Sequence, residues 1–391
     1  MSWPALEIGQ LVNKGDADIQ TGPFGTQLKA SDYMEHGVPV INVRNIGYSD
    51  LRPEKIEYIT ESKSEQLGVH KLENNDIVFG RKGAVDRHLY VKNEQVGWIQ
   101  GSDCIRLRFS SEEINPRFVS YSFLSSYHKQ WMLNQCGNKA TMASLNQDVV
   151  KRILIKLPSK THQDIIVEVL QKYDDLIENN KRRIELLEES ARQLYKEWFV
   201  RFRFPGHEHV KIIDGVPEGW ELKKLEDLFA KIKRTGKIKK EEYVESGAFP
   251  CVDQSQSFIG GYTDNHEAII KEPLPLVIFG DHTRILKFVD FPFACGADGT
   301  QILYPNDDRL SIEYFYFSLL NVDLSNYFYA RHFKFLKDQE ILIPPERHVK
   351  AFTEFACSNM KQISKLRDQC LQLSKARDLL LPKLMSGEIA V

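Results

Sequence analysis

Apolar positions recur at alternating steps of four and three along two stretches of the chain. The first runs through Ile166, Leu170, Tyr173, Ile177, Asn180, Ile184, Leu187, Ala191, Leu194 and Trp198. Adding 186 to each number gives Phe352, Ala356, Asn359, Ile363, Leu366, Cys370, Leu373, Arg377, Leu380 and Leu384, so the second stretch runs in the same phase. Spacing of this kind, held over several heptads, predicts a helix whose seam packs on another helix. Each seam covers 33 residues, about 50 Å of helix at ~1.5 Å per residue. Asn180 interrupts the first seam, where a polar side chain fixes register; Arg377 in the second is expected to snorkel to the surface. Each stretch follows a different globular block, which predicts a spacer between two modules.

In the globular blocks the pattern changes to short apolar runs between turns. Strands are predicted at residues 38–43, 77–79, 89–91 and 105–109, and in the second block at 276–279, 285–289 and 301–304. The two sets are copies. DIVFGR (76–81) reads like LVIFGD (276–281), Gly101-Ser102-Asp103 like Gly296-Ala297-Asp298, and NPRFVSYSFL (115–124) like SIEYFYFSLL (311–320). The offset drifts from 200 to 186 along the chain, as loops of unlike length would cause while the helices kept register. A period near 190 residues is far too long for a solenoid, so the unit repeated is a whole domain with its helix. The expected fold is mixed α/β (α+β), with modules at 1–160 and 205–345 and long helices at 161–204 and 346–391. Thr161 with Asp164 is expected to cap the first helix, and Pro205-Gly206 to stop the chain after it.

At 391 residues, two or more domains are the default. No apolar run approaches the ~20 residues of a membrane span, and no signal segment opens the chain, so a cytoplasmic protein is expected. Six cysteines without a CxxC pair read as reduced thiols, with no zinc site. The net charge of −2 is uninformative, but its distribution is not. Residues 161–200 carry 6 basic and 9 acidic side chains, whereas residues 346–385 carry 8 and 4. Opposite charge suits the two helices pairing with each other. Any basic surface on the modules must be local.

Five places carry candidate chemistry. Gly80-Arg81-Lys82-Gly83, with Arg87 and His88, forms a basic turn after a buried strand. Its copy, Gly280-Asp281-His282-Thr283-Arg284, holds an Asp-His pair without a third metal ligand at sensible spacing. Residues 231–240, including Lys233, Arg234 and Lys237, are the densest basic run. Gln254 and Gln256 offer amides of the kind that pair with adenine edges, and a polar surface turn reads equally well. Lys29, Arg44, Asn45, Asn138 and Lys139 are weaker candidates. The Phe and Tyr cluster from Tyr314 to Phe335 reads as core and subunit interface rather than a stacking platform.

Several segments carry a family resemblance: VPEGWELKKLEDL (216–228), ARQLYKEWFVRFRFPG (191–206), ARDLLLPKLMSGEI (376–389), GPFGTQLKASDY (22–33) and INVRNI (41–46). In this order, on a duplicated frame, the chain resembles the DNA-specificity subunit of type I restriction–modification systems over essentially its whole length. The resemblance implies two target-recognition domains related by a pseudo-two-fold axis, each reading half of a split site in double-stranded DNA. An antiparallel coiled coil would separate them, and half-sites one helical turn apart lie ~34–36 Å from centre to centre. The candidates above then become DNA contacts. The resemblance also implies partners: two modification subunits that bind S-adenosylmethionine and methylate adenine, and restriction subunits that use ATP and Mg. No catalytic residue, cofactor or metal is expected in this chain, which shows neither a P-loop nor an NPPF-like motif. Two alternatives stand beside this reading: a cytosolic hydrolase using His282 and Asp281, and a coiled-coil scaffold without DNA contact.

Overall fold

The structure is a computed structural model and describes residues 3–137, 143–232, 235–297, 299–326 and 331–389. Asn138, Lys139, Lys233 and Arg234 lie outside the described residues, as do Asp298 and residues 327–330 of the aromatic cluster. The chain divides into two units, Met1–Ile177 with Gln372–Val391, and Glu178–Leu371. Each is a mixed α/β body that includes a stretch of both long helices.

Unit 1 opens with β1 (Ala5–Glu7), α1 (Ile8–Lys14), β2 (Ala17–Thr21), β3 (Val38–Ile41), β4 (Glu57–Ile59) and α2 (Glu61–Gln66). It continues through β5 (Ile77–Gly80), β6 (His88–Tyr90), β7 (Ile99–Gln100) and β8 (Cys104–Phe109). Helices α3 (Pro116–Ser122), α4 (Ser126–Cys136) and α5 (Gln147–Lys151) and strand β9 (Leu154–Lys156) lead into α6 (Lys160–Tyr195). The main sheet has the antiparallel order β2-β8-β5-β6; a smaller sheet, β4-β3-β7, pairs β3 and β7 in parallel. β5 is buried on both faces, which is why it reads as a continuous apolar run. Its side chains alternate: Ile77 and Phe79 join Phe118, Tyr121, Ile166 and Leu170, while Val78 joins Ile41, Ile46 and Leu72. Asn115 starts α3 by accepting the N–H groups of Arg117 and Phe118 ahead of the helical proline.

Unit 2 follows the same plan. After the hairpin β10 (Ile212–Ile213) and β11 (Val216–Pro217) come β12 (Glu221–Lys224), β13 (Phe249–Val252), β14 (Gly261–Thr263) and β15 (Ile269–Ile270). Then follow β16 (Leu276–Gly280), β17 (Leu286–Val289), β18 (Phe293–Cys295), β19 (Thr300–Leu303), α7 (Ile312–Leu320), α8 (His332–Lys337), β20 (Glu340–Ile343) and α9 (Glu346–Ser386). Sheet β17-β16-β19 repeats β6-β5-β8, and β14-β13-β18 repeats β4-β3-β7 with the same parallel pair. Among the described residues, one strand is not repeated. Where β2 pairs with β8 over five residues, the second unit has a bridge from Phe229 to Pro305, the Ala230 N–H on Tyr304 O at 2.8 Å and the Asn306 N–H on Leu228 O at 3.0 Å. The chain then leaves β19 and returns at Ile238, beside Gly296. Most of the described aromatics between Tyr314 and Phe335 sit in or against this unit's main core.

The two long helices pack antiparallel. In unit 1, Arg377 Nη1 lies 2.7 Å from Asp174 Oδ1, while Leu381 and Leu384 share a cluster with Ile166, Val167 and Leu170. In unit 2, Asn180 Nδ2 donates to Gln369 Oε1 at 3.4 Å, Glu188 pairs with Arg367 at 2.8 Å, and Asn359 Nδ2 donates to Leu187 O at 3.1 Å. Numbers rise along one helix as they fall along the other. Ile166, Leu170, Ile177, Asn180, Ala191, Phe352, Ala356, Asn359, Ile363, Leu366 and Leu384 are buried; Tyr173, Ile184, Leu187, Leu194, Trp198, Cys370, Leu373 and Leu380 are half-buried.

Four local expectations need correction. Thr161 is not a cap: the helix already begins at Lys160, and Asp164 takes the Lys160 ammonium and the Asn115 amide instead. The helix stops before Pro205-Gly206, through a π-helical turn, Lys196–Val200, and a left-handed Phe202 at φ +57°. Tyr195 and Phe199 are more deeply buried here than the heptad positions Leu194 and Trp198, which pack half-buried against the same core. Arg377 does not snorkel, because Asp174 on the facing helix holds it.

Candidate nucleic-acid interface

In unit 1 the turn after β5 is clamped into place by backbone bonds. Arg81 N–H donates to Asp103 O at 2.8 Å, Gly83 N–H to Ala143 O at 2.9 Å, and Leu145 N–H to Arg81 O at 2.8 Å. Arg81 lies over the exposed Phe24 ring, 5.2 Å from its centroid, and Lys82 reaches Asp103 at 2.9 Å. Beside this turn stands Tyr48, 39% exposed, with Arg87 and Lys129 over its ring at 5.3 and 4.2 Å. Its hydroxyl donates to Asp86 at 2.7 Å; burial and that bond together raise its pKa. Lys29 is exposed, and so is Arg44, which pairs with Glu57 at 2.8 Å. Phe24, Tyr48 and Lys129 escaped sequence reasoning, since no motif links residues so far apart in the chain.

His88 and Asn45 are structural rather than contact residues. The His88 ring is 1% exposed, packs on Phe79 and Phe123, and shares a 2.9 Å hydrogen bond between Nε2 and Ser120 Oγ. Burial, reinforced by the charges of His128, Arg117 and Lys129, holds its pKa well below 6.5, so the ring is neutral. Asn45 is wholly buried, donating to the Arg52 and Glu54 carbonyls and accepting the Asn42 N–H.

In unit 2 the copied turn works differently. Asp281 is buried, and its carboxylate accepts the Phe333 N–H at 2.8 Å at the start of α8. His282 is exposed and donates its backbone N–H to Gln254 Oε1 at 3.0 Å, while Thr283 Oγ1 donates to Gln254 O at 2.8 Å. Arg284, at φ +61°, donates to Leu324 O at 2.9 Å. Gln254 lies between Gly280 and Gly299. A Cβ on either would come within 2.9 Å of Gln254 atoms, so both positions need glycine. Gln256 is exposed.

The 253–257 turn rests on one buried cation. Lys287, 4% exposed, donates to the carbonyls of Asp253 at 2.7 Å and Ser257 at 2.5 Å, and lies 3.8 Å from Asp253 Oδ1. Burial pushes its pKa down from 10.5 to about 8, against the pull of the Asp253 charge. Where the chain leaves β19, a cleft of about 860 Å3 opens, lined by Lys231, Thr235, Lys237, Thr300, Phe333 and Lys337. Lys237 closes one side by donating to Thr300 O at 2.6 Å.

In sum, the first site offers cations beside exposed aromatic rings; the second offers amides, a hydroxyl and an imidazole on a braced turn. Among the described residues, no three His, Cys, Asp or Glu side chains converge as a metal ion would need. Such surfaces bind polyanions and hydrogen-bonding edges.

Residues 7–189 match the family model of the type I restriction modification DNA specificity domain. Those residues thus carry the type I restriction modification DNA specificity domain, and the chain as a whole is similar to specificity subunits of that system. It is 27% identical over 299 residues to the type I restriction enzyme MjaIX specificity subunit of Methanocaldococcus jannaschii, covering 70% of this chain and 69% of that one. It is 22% identical over 377 residues to the putative MjaX specificity subunit of the same organism, covering 91% and 88% of the two chains. The crystal structure of a type-I restriction-modification system S subunit from M. genitalium shares the fold, with a TM-score of 0.56 at 14% identity over 98% of this chain and 96% of that one. The two braced turns stand at corresponding places in two copies of one module, each after the central strand of its sheet. No described helix is long and apolar enough to cross a membrane.

Proposed function

We propose that this subunit reads a bipartite, asymmetric site in double-stranded DNA, one half with each module. The observation that carries this reading is the turn after the central strand, built twice on one topology but with unlike side chains. The first copy presents Arg81, Lys82 and Arg87; the second presents His282 and Thr283 against Gln254. Arginine reads guanine bidentately, amides pair with adenine, and lysine neutralises phosphate. Unlike turns suit unlike half-sites, and the antiparallel helices set the gap between them. Catalysis then falls to cytoplasmic partners: two modification subunits that use S-adenosylmethionine to methylate adenine, and restriction subunits that use ATP and Mg. This chain directs them and binds no cofactor itself.

Two measurements test the proposal. The purified chain shows no S-adenosylmethionine-dependent methylation alone and gains it when the modification subunits are added; activity from the chain alone contradicts the reading. Exchanging residues 1–160 for another subunit's module changes one half-site and leaves the other half and the gap intact. A change in both halves, or in neither, overturns it.

A further inference from the structure

Unit 1 contains a buried polar chain that the reading of the DNA has not used. Asp174 projects from α6 and accepts three hydrogen bonds: from Tyr121 Oη at 2.6 Å, Arg117 Nη2 at 2.7 Å and Arg377 Nη1 at 2.7 Å. Arg117 is sandwiched by the rings of Tyr90 and Tyr121, 4.6 and 4.3 Å from their centroids, and its Nη1 donates to Ser49 Oγ at 2.8 Å. Ser49 Oγ also meets Ser120 Oγ at 2.8 Å, which meets His88 Nε2 at 2.9 Å. Ser49 is the neighbour of Tyr48, the exposed ring between Arg87 and Lys129.

Two features separate this chain of contacts from ordinary core packing. Ser49 holds φ at +66°, a conformation uncommon for non-glycine residues, and the polar chain passes through its hydroxyl. The second copy of the module makes the corresponding joint with apolar side chains at three of the four positions and keeps one buried charged residue. By the sequence alignment of the copies, Glu313 stands for Arg117, Phe317 for Tyr121, Met360 for Asp174 and Ala191 for Arg377. Phe317, Met360 and Ala191 are buried in that unit's main apolar core. The fold can therefore join helix to module by apolar contact, which is often at least as stable as a buried ion pair. What the charged version adds is direction, because hydrogen bonds fix orientation where apolar contacts do not.

We infer that Asp174 is a positioning residue: it orients Arg117, and through Arg117 and Ser49 it holds the Tyr48 turn of the first module in its reading position on the helix pair. The inference rests on the proposed reading of DNA by that module. Loosening the chain should degrade discrimination at one half-site only.

The test uses the complex of this chain with its modification subunits. Methylation rates are measured on duplexes with a single base change in either half-site. The half-site read by residues 1–160 is assigned beforehand by module exchange. Asp174→Asn keeps the shape and removes the charge. Ser49→Gly leaves the positive φ open, since glycine adopts it freely, and removes the CH2OH side chain with its hydroxyl. Both variants are expected to lose roughly tenfold or more in discrimination at the first module's half-site, the scale of one hydrogen bond to a charged group. Discrimination at the other half-site should stay within about twofold, inside the scatter between independent sites. If Asp174→Asn does not fold, Ser49→Gly decides alone. Unchanged discrimination in Ser49→Gly, or equal loss at both half-sites, overturns the inference while leaving the proposed function standing. A wild-type complex that discriminates at neither half-site overturns both.

Discussion

Lys287 gives the sharpest stability prediction, because a buried ammonium is costly and its cost depends on pH. In Lys287→Met the carbonyls of Asp253 and Ser257 lose a charged donor, and hydrogen bonds of that kind contribute about 1.5–3 kcal/mol each. The same substitution removes a desolvated charge. The fall in pKa from 10.5 to about 8 corresponds to about 3 kcal/mol of disfavour for the ammonium in the folded state. The two effects offset, so stability near neutral pH should change by no more than about 3 kcal/mol. The pH dependence does not cancel. Between the folded pKa and 10.5 the unfolded chain binds more protons at this lysine, so stability rises with pH there. Wild type should therefore gain about 1.5 kcal/mol on the variant between pH 8 and pH 9.5. Urea unfolding of both proteins at intervals across that range isolates the lysine, since every other titration is common to them. A difference that is flat, or that shrinks with rising pH, refutes a buried ammonium beneath the 253–257 turn.

Other outcomes follow from the same geometry. Lys129→Ala should weaken DNA binding about equally on specific and random duplexes and reduce the slope of log affinity against log salt by about one; gel shifts at several salt concentrations measure this. Asp281→Ala removes the acceptor at the start of α8 and should cost about 1–2 kcal/mol in thermal or urea unfolding. Acidification should loosen the helix joint of unit 1. Burial raises the Asp174 pKa, but the bonds from Tyr121 and Arg377 and the charges of Arg117 and Arg377 outweigh it, leaving the value lowered. Its contribution is present above the ordinary carboxylate pKa and is lost as pH falls through the depressed one, so wild type and Asp174→Asn should converge in stability toward low pH.

The long helices were legible because their seams repeat one spacing over 33 residues, which few other structures impose. The central strands β5 and β16 were legible as continuous apolar runs, which burial on both faces requires. β2, β13 and β20 were missed although they are at least as long as β5 and β6, which were found, and β12 because its Glu221–Lys224 sequence holds a single apolar residue, the exposed Leu222, as an edge strand allows. At the candidate site, the sequence located the turn after β5 but could not tell which of its side chains face inward. His88 is buried by Phe123 and Ser120, and Asn45 by the backbone of residues 52–54; neither partner is near in the chain. Tyr48 and Lys129 meet only through the tertiary fold, as do Lys287 and the 253–257 turn. The cleft lined by Lys231, Lys237 and Phe333 brings together residues far apart in the chain, which no local pattern encodes.

The central claim is that one chain sets two different readers a fixed distance apart. Mapping methylated adenines in cells that express the chain with its modification subunits tests this most directly, with and without seven residues deleted in register from both helices. The account predicts a split motif of two unlike short sequences that vanishes when the chain is omitted. The deletion shortens the helix pair by ~10 Å, so it should alter the gap or abolish methylation while leaving the half-site sequences unchanged. A contiguous motif, or altered half-sites across an unaltered gap, would contradict it.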